Sequence, residues 1–331
     1  MRDKIAGALY GMALGDAMGM PAELWGRKRV KAFFGRIEGF LDGPAENDVA
    51  FNYKKGQFTD DTGQALVLLD SIASTGYEPD TRDIALRMLA WAEKENAFEN
   101  NILGPTSKVA LANFRDGIQD SRITDKALSN GSAMRIAPIG CLFRPEQKED
   151  IARYVYLVSR ATHTSDVTIA GAAMIAEAVS SAIVKDDFEK VMEDVFGIEE
   201  IGYGMGCETF SPRLGERLRI GLDIAGSYKG DDEGFIHKLY DVVGTGVGII
   251  ESVPAALSVA YYAQDPNLSC LLCANMAGDT DTIGAMATAV CGAFTGMGRI
   301  KPEYIRTLRQ QNDADFDHYI RILEKGRERF A

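Results

Sequence analysis

A chain of 331 residues, 46% of them hydrophobic, is long and apolar enough to bury a sizeable core, which excludes disorder as its resting state. Its 48 Asp and Glu against 36 Lys and Arg leave a net charge of −12, which argues against nucleic acid or anionic membrane as general partners, since both are negative. A sugar, a nucleotide or a metal ion stays open as a ligand.

The N-terminal stretch MRDKIAGALYGMALGDAMG is interrupted by Asp3 and Asp16 and reads as neither a signal peptide nor a membrane span; no uncharged apolar run of ~18 residues occurs anywhere. Apolar and small residues then recur at helical spacing over Asp61 to Ile72, Thr81 to Lys94, Asp166 to Ile183, Glu251 to Ala263 and Thr282 to Phe294. Strand-like alternation is scarce. The breaks carry stop and start chemistry at Gly76 with Glu78-Pro79-Asp80, Gly104-Pro105-Thr106, Gly230-Asp231-Asp232, and Gly298 with Lys301-Pro302. The spacing therefore predicts about a dozen helices of ordinary length. Small-residue runs such as Ala170-Gly171-Ala172-Ala173 and Gly284-Ala285-Met286-Ala287 allow helices to approach closely, so the expectation is an all-α, compact orthogonal bundle. With no repeat of about 30–45 residues and no Pro-, Ser- or charge-rich linker, residues 1–331 are expected to form one domain. The five cysteines, Cys141, Cys207, Cys270, Cys273 and Cys291, are odd in number and scattered, which fits a reduced, cytoplasmic protein. Cys270 and Cys273 lack a second pair and read as ordinary buried thiols.

Two aspartate clusters carry the chemistry. Thr59-Asp60-Asp61-Thr62 and Gly278-Asp279-Thr280-Asp281-Thr282 each stand directly ahead of an apolar helix. Either alone reads as a helix cap, because Thr and Asp suit the N-cap and carboxylates suit the positive end of the helix dipole. A cap needs one such group, whereas the two clusters hold four carboxylates and four hydroxyls. Carboxylates that close repel unless a cation sits between them. Oxygen ligands with no His or Cys nearby suit Mg²⁺ or Mn²⁺ better than zinc or copper. The three histidines, His163, His237 and His318, are too dispersed for a His-rich metal site. If both clusters bind one metal centre, positions 220 apart (281 − 61) belong to one domain.

An ordered set of further motifs accompanies them: Gly11-x-x-x-Gly15-Asp16-Ala17-x-Gly19-x-Pro21-x-Glu23, Asn130-Gly131-x-x-Met134-Arg135-x-x-Pro138, Thr162-His163 and Glu251-Ser252-Val253-Pro254-Ala255. In this order, from about residue 4 to residue 296, the chain resembles the ADP-ribosylglycohydrolases, the family of the dinitrogenase reductase-activating glycohydrolases and the animal ADP-ribosyl-acceptor hydrolases. The resemblance implies an all-α fold with two Mg²⁺ or Mn²⁺ ions at the base of a cleft. It makes Thr59, Asp60, Asp61, Asp279, Asp281 and Thr282 the metal ligands, and Asp16 a structural, capping aspartate. It makes Glu23 the loop glutamate that acts on the scissile bond, with Asp60 and Asp279 beside it in catalysis. Substrate contacts fall to Gly104, Pro105 and Thr106, to Ser129, Asn130, Gly131 and Met134, to His163, and to Thr245 and Val247. Free amides at Gly104-Pro105-Thr106-Ser107 and Ser129-Asn130-Gly131 would hold a diphosphate, and Met134-Arg135 would open a helix. Arg135 reads as a phosphate contact or an internal salt bridge.

One departure stands out. The nitrogenase-regulating branch carries an acidic residue for the arginine side chain just before the counterpart of Gly104, where this chain has Asn100-Asn101-Ile102-Leu103. The expected substrate is an ADP-ribosyl or ribosyl compound, protein-linked or free, cut by a metal-dependent, glycosidase-like hydrolysis. Two alternatives stay open: a nucleosidase-like ribosyl hydrolase on the same fold, and a non-catalytic ADP-ribose binder.

Overall fold

The apolar periodicity is realised as helix after helix. The computed structural model describes residues 1–100 and 102–331, so Asn101 lies outside the described residues. In chain order the helices are α1 (Arg2–Gly19), α2 (Arg27–Phe34), α3 (Asp60–Ser74), α4 (Thr81–Lys94), α5 (Pro105–Arg115), α6 (Arg122–Asp125), α7 (Ala137–Gly140), α8 (Lys148–Ser159) and α9 (Asp166–Val184). They continue as α10 (Phe188–Tyr203), α11 (Leu214–Ser227), α12 (Asp232–Val242), α13 (Ile249–Ala263), α14 (Pro266–Met276), α15 (Thr280–Thr295), α16 (Pro302–Gln311) and α17 (Phe316–Phe330). Among the described residues there is no strand, only isolated bridges such as Trp25 with Gly278 and Ser129 with Gly248. The count exceeds a dozen partly because α6 and α7 are single turns. The helix expected to open at Met134-Arg135 does not: both residues lie in turns, with the Ala133 and Met134 amides bound to Asn130 O, and helix resumes only at Ala137 beside Pro138.

At the centre, α1 and α15 lie backbone against backbone. Along α1 the glycines at 7, 11, 15 and 19 recur every four residues and share one face. A Cβ added at Gly15 would stand 1.9 Å from Gly284 O, and one at Gly284 would stand 2.4 Å from Gly15 O. Bare backbone is thus what lets the two helices meet. Both are buried on nearly every side, since α1 is sheathed further by α14, α16 and α17 and α15 by α9, α13 and α14. The helix α9 is long and apolar enough to cross a membrane, but 94% of its apolar window is buried inside the fold, so it is a core helix here. The consequence for the site is geometric. The C-terminal end of α1 and the N-terminal end of α15 are pinned side by side, which brings Asp16 and the Glu23 turn next to Asp279 and Asp281.

Candidate active site

The two aspartate clusters meet, and neither spends its side chains on capping its own helix. Thr59 is the N-cap of α3 and Asp279 the N-cap of α15, yet neither side chain makes a capping hydrogen bond. The first turn of α3 is satisfied from outside: Asp16 accepts from Thr59 N at 2.8 Å, from Thr62 N at 3.0 Å and from the Thr62 hydroxyl at 2.6 Å. Asp16 is therefore the capping aspartate, on behalf of a helix 43 residues further on. That leaves the cluster carboxylates free to face one another.

Asp16, Asp61 and Asp281 place carboxylate oxygens within 4.8 Å of one another, as do Glu23, Asp279 and Asp281. Asp281 belongs to both groups, so they form two adjoining sets of hard oxygen donors. The Thr59 hydroxyl joins them, 3.2 Å from Asp61 and 3.4 Å from Asp281. Two buried oxygens, Asp61 Oδ1 and Asp281 Oδ1, have no partner among the described residues. Burial, and the repulsion of neighbouring aspartates, raise Asp61, Asp281 and Glu23 well above the usual carboxylate range. Burial raises Asp279 to about 6, and burial with the adjacent Asp16 charge raises Asp60 to about 8. Carboxylate oxygens crowded and buried in this way could hold a divalent cation, whose charge would favour their ionised form.

Glu23 reaches the cluster because its turn is tied to α15. Leu24 N donates to Gly278 O at 2.7 Å, Gly278 N donates to Trp25 O at 2.9 Å, and Asn47 holds the Glu23 carbonyl at 3.0 Å. Gly278 itself has φ +85°, and an added Cβ would collide with Thr245 O at 2.2 Å, so this corner requires glycine. Thr245 is buried behind the corner and its carbonyl accepts from Asp279 N at 2.7 Å.

A polar wall rises beside the acidic centre. Asn130 Nδ2 donates to Asp279 at 2.5 Å, while its backbone N–H is taken by Val247 O at 3.0 Å and is not free. The amides of Gly131 and Ser132, and those of Thr106 and Ser107 in the first turn of α5, have no protein acceptor among the described residues. Thr106 and Ser129 hydroxyls are 3.1 Å apart, and Ser129 is 3.1 Å from His163 Nε2. His163 is fully buried beneath Gly131, where an added Cβ would come within 2.8 Å of its ring. Gly104 and Pro105 are exposed at the lip, Val247 is exposed on the rim, and Met134 is buried under the turn. Arg135 makes no salt bridge among the described residues: it is buried and donates to Gln64 at 2.7 Å and to Thr162 at 2.6 Å.

Sequence reasoning passed over a neighbouring cleft. A cleft of about 700 Å³ opens beside Thr59, with Tyr53, Phe58 and Trp91 among its lining residues. The Tyr53 phenol is pushed far above its ordinary range by burial first and by the charges of Asp60 and Glu23. Tyr53 and Phe58 fall in an irregular stretch with no period to read, and Trp91 reads in the sequence only as one position of the helix Thr81 to Lys94.

An all-helical protein with a buried acidic centre next to a cleft is the class this arrangement defines. A family profile described as ADP-ribosylglycohydrolase matches residues 1–329, and the chain belongs to that family of glycosidic hydrolases. It is 44% identical over 327 residues, 98% of each chain, to the uncharacterized protein YegU of Escherichia coli. It is 27% identical to the ADP-ribosylarginine hydrolase Tri1 of Pseudomonas putida, over 92% of this chain and 73% of that one. Against the human ADP-ribosylhydrolase ARH3 the identity is 24%, over 94% of this chain and 91% of the other. A solved structure titled ADP-ribosylglycohydrolase-related protein complex shares the fold, with a TM-score of 0.72 at 22% identity and 98% of each chain covered.

Proposed function

We propose that residues 1–331 form a single domain that hydrolyses the ribosyl bond of an ADP-ribosylated substrate with the help of two divalent cations. The observation that carries this reading is the pair of unpartnered oxygens, Asp61 Oδ1 and Asp281 Oδ1, in a cluster assembled from both ends of the chain. Thr59, Asp60, Asp61, Asp279, Asp281 and Thr282 would hold Mg²⁺ or Mn²⁺. Such ions supply Lewis acidity and a fixed seat for a ribose diol.

The remaining work falls to the chain. The free amides of Thr106, Ser107, Gly131 and Ser132 suit the oxygens of a diphosphate, since helix and turn N–H groups bind anions. That wall and the acidic centre are locked together by Asn130 and Asp279, so a diphosphate at one fixes the ribose at the other. Glu23, at the edge of the centre, is placed to exchange a proton with the leaving atom or the attacking water. The surrounding carboxylates oppose the positive charge that builds on the sugar ring as the bond breaks. The leaving group then lies toward the cleft of Tyr53 and Trp91.

An assay with ADP-ribosyl-arginine, ADP-ribosyl-serine, O-acetyl-ADP-ribose and free nucleosides, read for released ADP-ribose or ribose, tests the proposal. Turnover of at least one ADP-ribosyl compound, lost on chelation, is expected; turnover of nucleosides alone would replace it with the nucleosidase reading.

A further inference from the structure

We propose that Arg135 sets the direction of a buried hydrogen-bond chain ending on Thr106, and thereby makes the Thr106 hydroxyl a donor toward an anionic group of the substrate. The identity of that group rests on the ADP-ribosyl reading above; the direction of the chain rests on the hydrogen-bond geometry and on a buried, neutral His163 ring.

Arg135 is 1% exposed, its hydrogen bonds go to two uncharged side chains, and its Nε has no partner. A guanidinium at that depth without a carboxylate partner is a costly arrangement. Its nearest acid lies one residue away: Arg135 Nη1 donates to Gln64 Oε1 at 2.7 Å, and Gln64 Nε2 donates to Asp60 at 2.9 Å. On the other side Arg135 Nη2 donates to Thr162 Oγ1 at 2.6 Å.

From that point the protons have little choice. A guanidinium has donors only, so Thr162 oxygen accepts, and its single proton must leave elsewhere. His163 Nδ1 stands at 2.9 Å, whereas Ser159 O is at 3.5 Å and already accepts from Thr162 N and His163 N. The proton therefore goes to Nδ1. Burial and the Arg135 charge push His163 down to about 3, so the ring is neutral and its own proton sits on Nε2. Nε2 then donates to Ser129 at 3.1 Å, and Ser129 donates to Thr106 at 3.1 Å. The Thr106 proton is left without a protein acceptor among the described residues, in the first turn of α5 beside the free amides. His163 acts on the ligand through Ser129 and Thr106, which makes it, like Arg135, a positioning residue.

Without the guanidinium the order inverts. Thr162 can accept from Nδ1–H, Nε2 accepts from Ser129, Ser129 accepts from Thr106, and Thr106 turns lone pairs toward the ligand. An anionic oxygen would then meet an acceptor where it needs a donor.

The test is ¹⁵N NMR of histidine-labelled protein with Mg²⁺, together with calorimetric binding of ADP-ribose. His163 is identified by elimination with His237→Gln and His318→Gln. The expected wild-type state is the Nε2–H tautomer; an Nδ1–H or imidazolium ring overturns the proposal whatever the variants do. Arg135→Met is expected to move His163 toward Nδ1–H and weaken ADP-ribose on the order of tenfold or more, while Arg135→Lys, which keeps a charged donor, holds the wild-type tautomer. An unchanged ADP-ribose affinity in folded Arg135→Met overturns it. If Arg135→Met does not fold, the wild-type tautomer still decides the direction. A wild type that shows Nε2–H but does not bind ADP-ribose would sink the substrate reading and leave the chain's direction standing.

Discussion

Glu23, like Asp16, is a carboxylate of the site that neither cluster supplies. It is brought in by a turn pinned to Gly278, within 4.8 Å of Asp279 and Asp281 oxygens. If it moves the proton of the reaction, Glu23→Gln should lower turnover by a factor on the order of 10²–10⁴ and leave cation binding nearly intact. Steady-state rates beside a cation titration would show this, and an unchanged rate would remove Glu23 from the chemistry. The aspartates give a second prediction, on pH. In the cation-free protein Asp16 and Asp279 are raised to about 6 and Asp60 to about 8, from an ordinary 3.8. Between these values the folded state holds protons that the unfolded chain has released, so these groups favour folding most at low pH and that benefit is lost as pH rises through 6 to 8. In EDTA the melting temperature should therefore fall from about pH 5 to pH 8, and the gain from added Mg²⁺ should widen over the same span. A melting temperature that climbs with pH in EDTA would contradict the crowding of these carboxylates.

At the scale of elements, the seam between α1 and α15 sets the distance between the two halves of the site. Gly284→Ala, whose new methyl would stand 2.4 Å from Gly15 O, should cost about 1–3 kcal/mol or more by prying the helices apart. Gly226→Ala in α11, where an added Cβ meets nothing within 4 Å, should be neutral or stabilising by up to ~1 kcal/mol. Urea unfolding of the two variants measures the contrast, and equal stability would mean that the seam yields without cost. Much of this architecture was legible. Thr81 to Lys94 was bounded as observed, and α3, α9, α13 and α15 were anticipated to within a few residues because each pairs a strong apolar period with a break. The clusters were legible as more than caps from their surplus of carboxylates. What stayed hidden depends on contacts between distant positions: Arg135 meets Gln64 across 71 residues and Thr162 across 27, and no local period encodes either meeting. The supposed helix at Met134-Arg135 failed for a related reason, since those residues are held by the Asn130 turn and by burial against the site.

For the molecule as a whole, the proposed cation binding would be one equilibrium with folding, because Thr59 to Asp61 and Asp279 to Thr282 come together only in the fold. At about 100 times the dissociation constant, Mg²⁺ or Mn²⁺ should add roughly 2.7 kcal/mol for one site. At ~2–4 °C per kcal/mol for domains somewhat smaller than this one, that appears as a rise of several degrees. Asp61→Asn and Asp281→Asn should each abolish the rise while leaving the cation-free protein as stable or slightly more so, since each removes a repelling charge. Scanning fluorimetry with cation and with EDTA decides it. A wild type indifferent to cation would dismantle the shared centre.

The seam has a consequence in time. Gly19 and its partner Thr280 are separated by 261 positions, and at ~5–20 residues per second a ribosome needs roughly 15–50 s to pass from one to the other. Throughout that interval α1, apolar on nearly every side in the finished protein, has been made while the surface it fits has not. The nascent chain must keep that helix unfolded, loosely covered or in the care of a chaperone, and Asp16 within it must wait without the Asp279 and Asp281 carboxylates. The proposed cation capture would therefore be among the last events in the life of the newborn chain, and a ribosome stalled before α15 would hold a polypeptide with half a site and an unsheltered core helix.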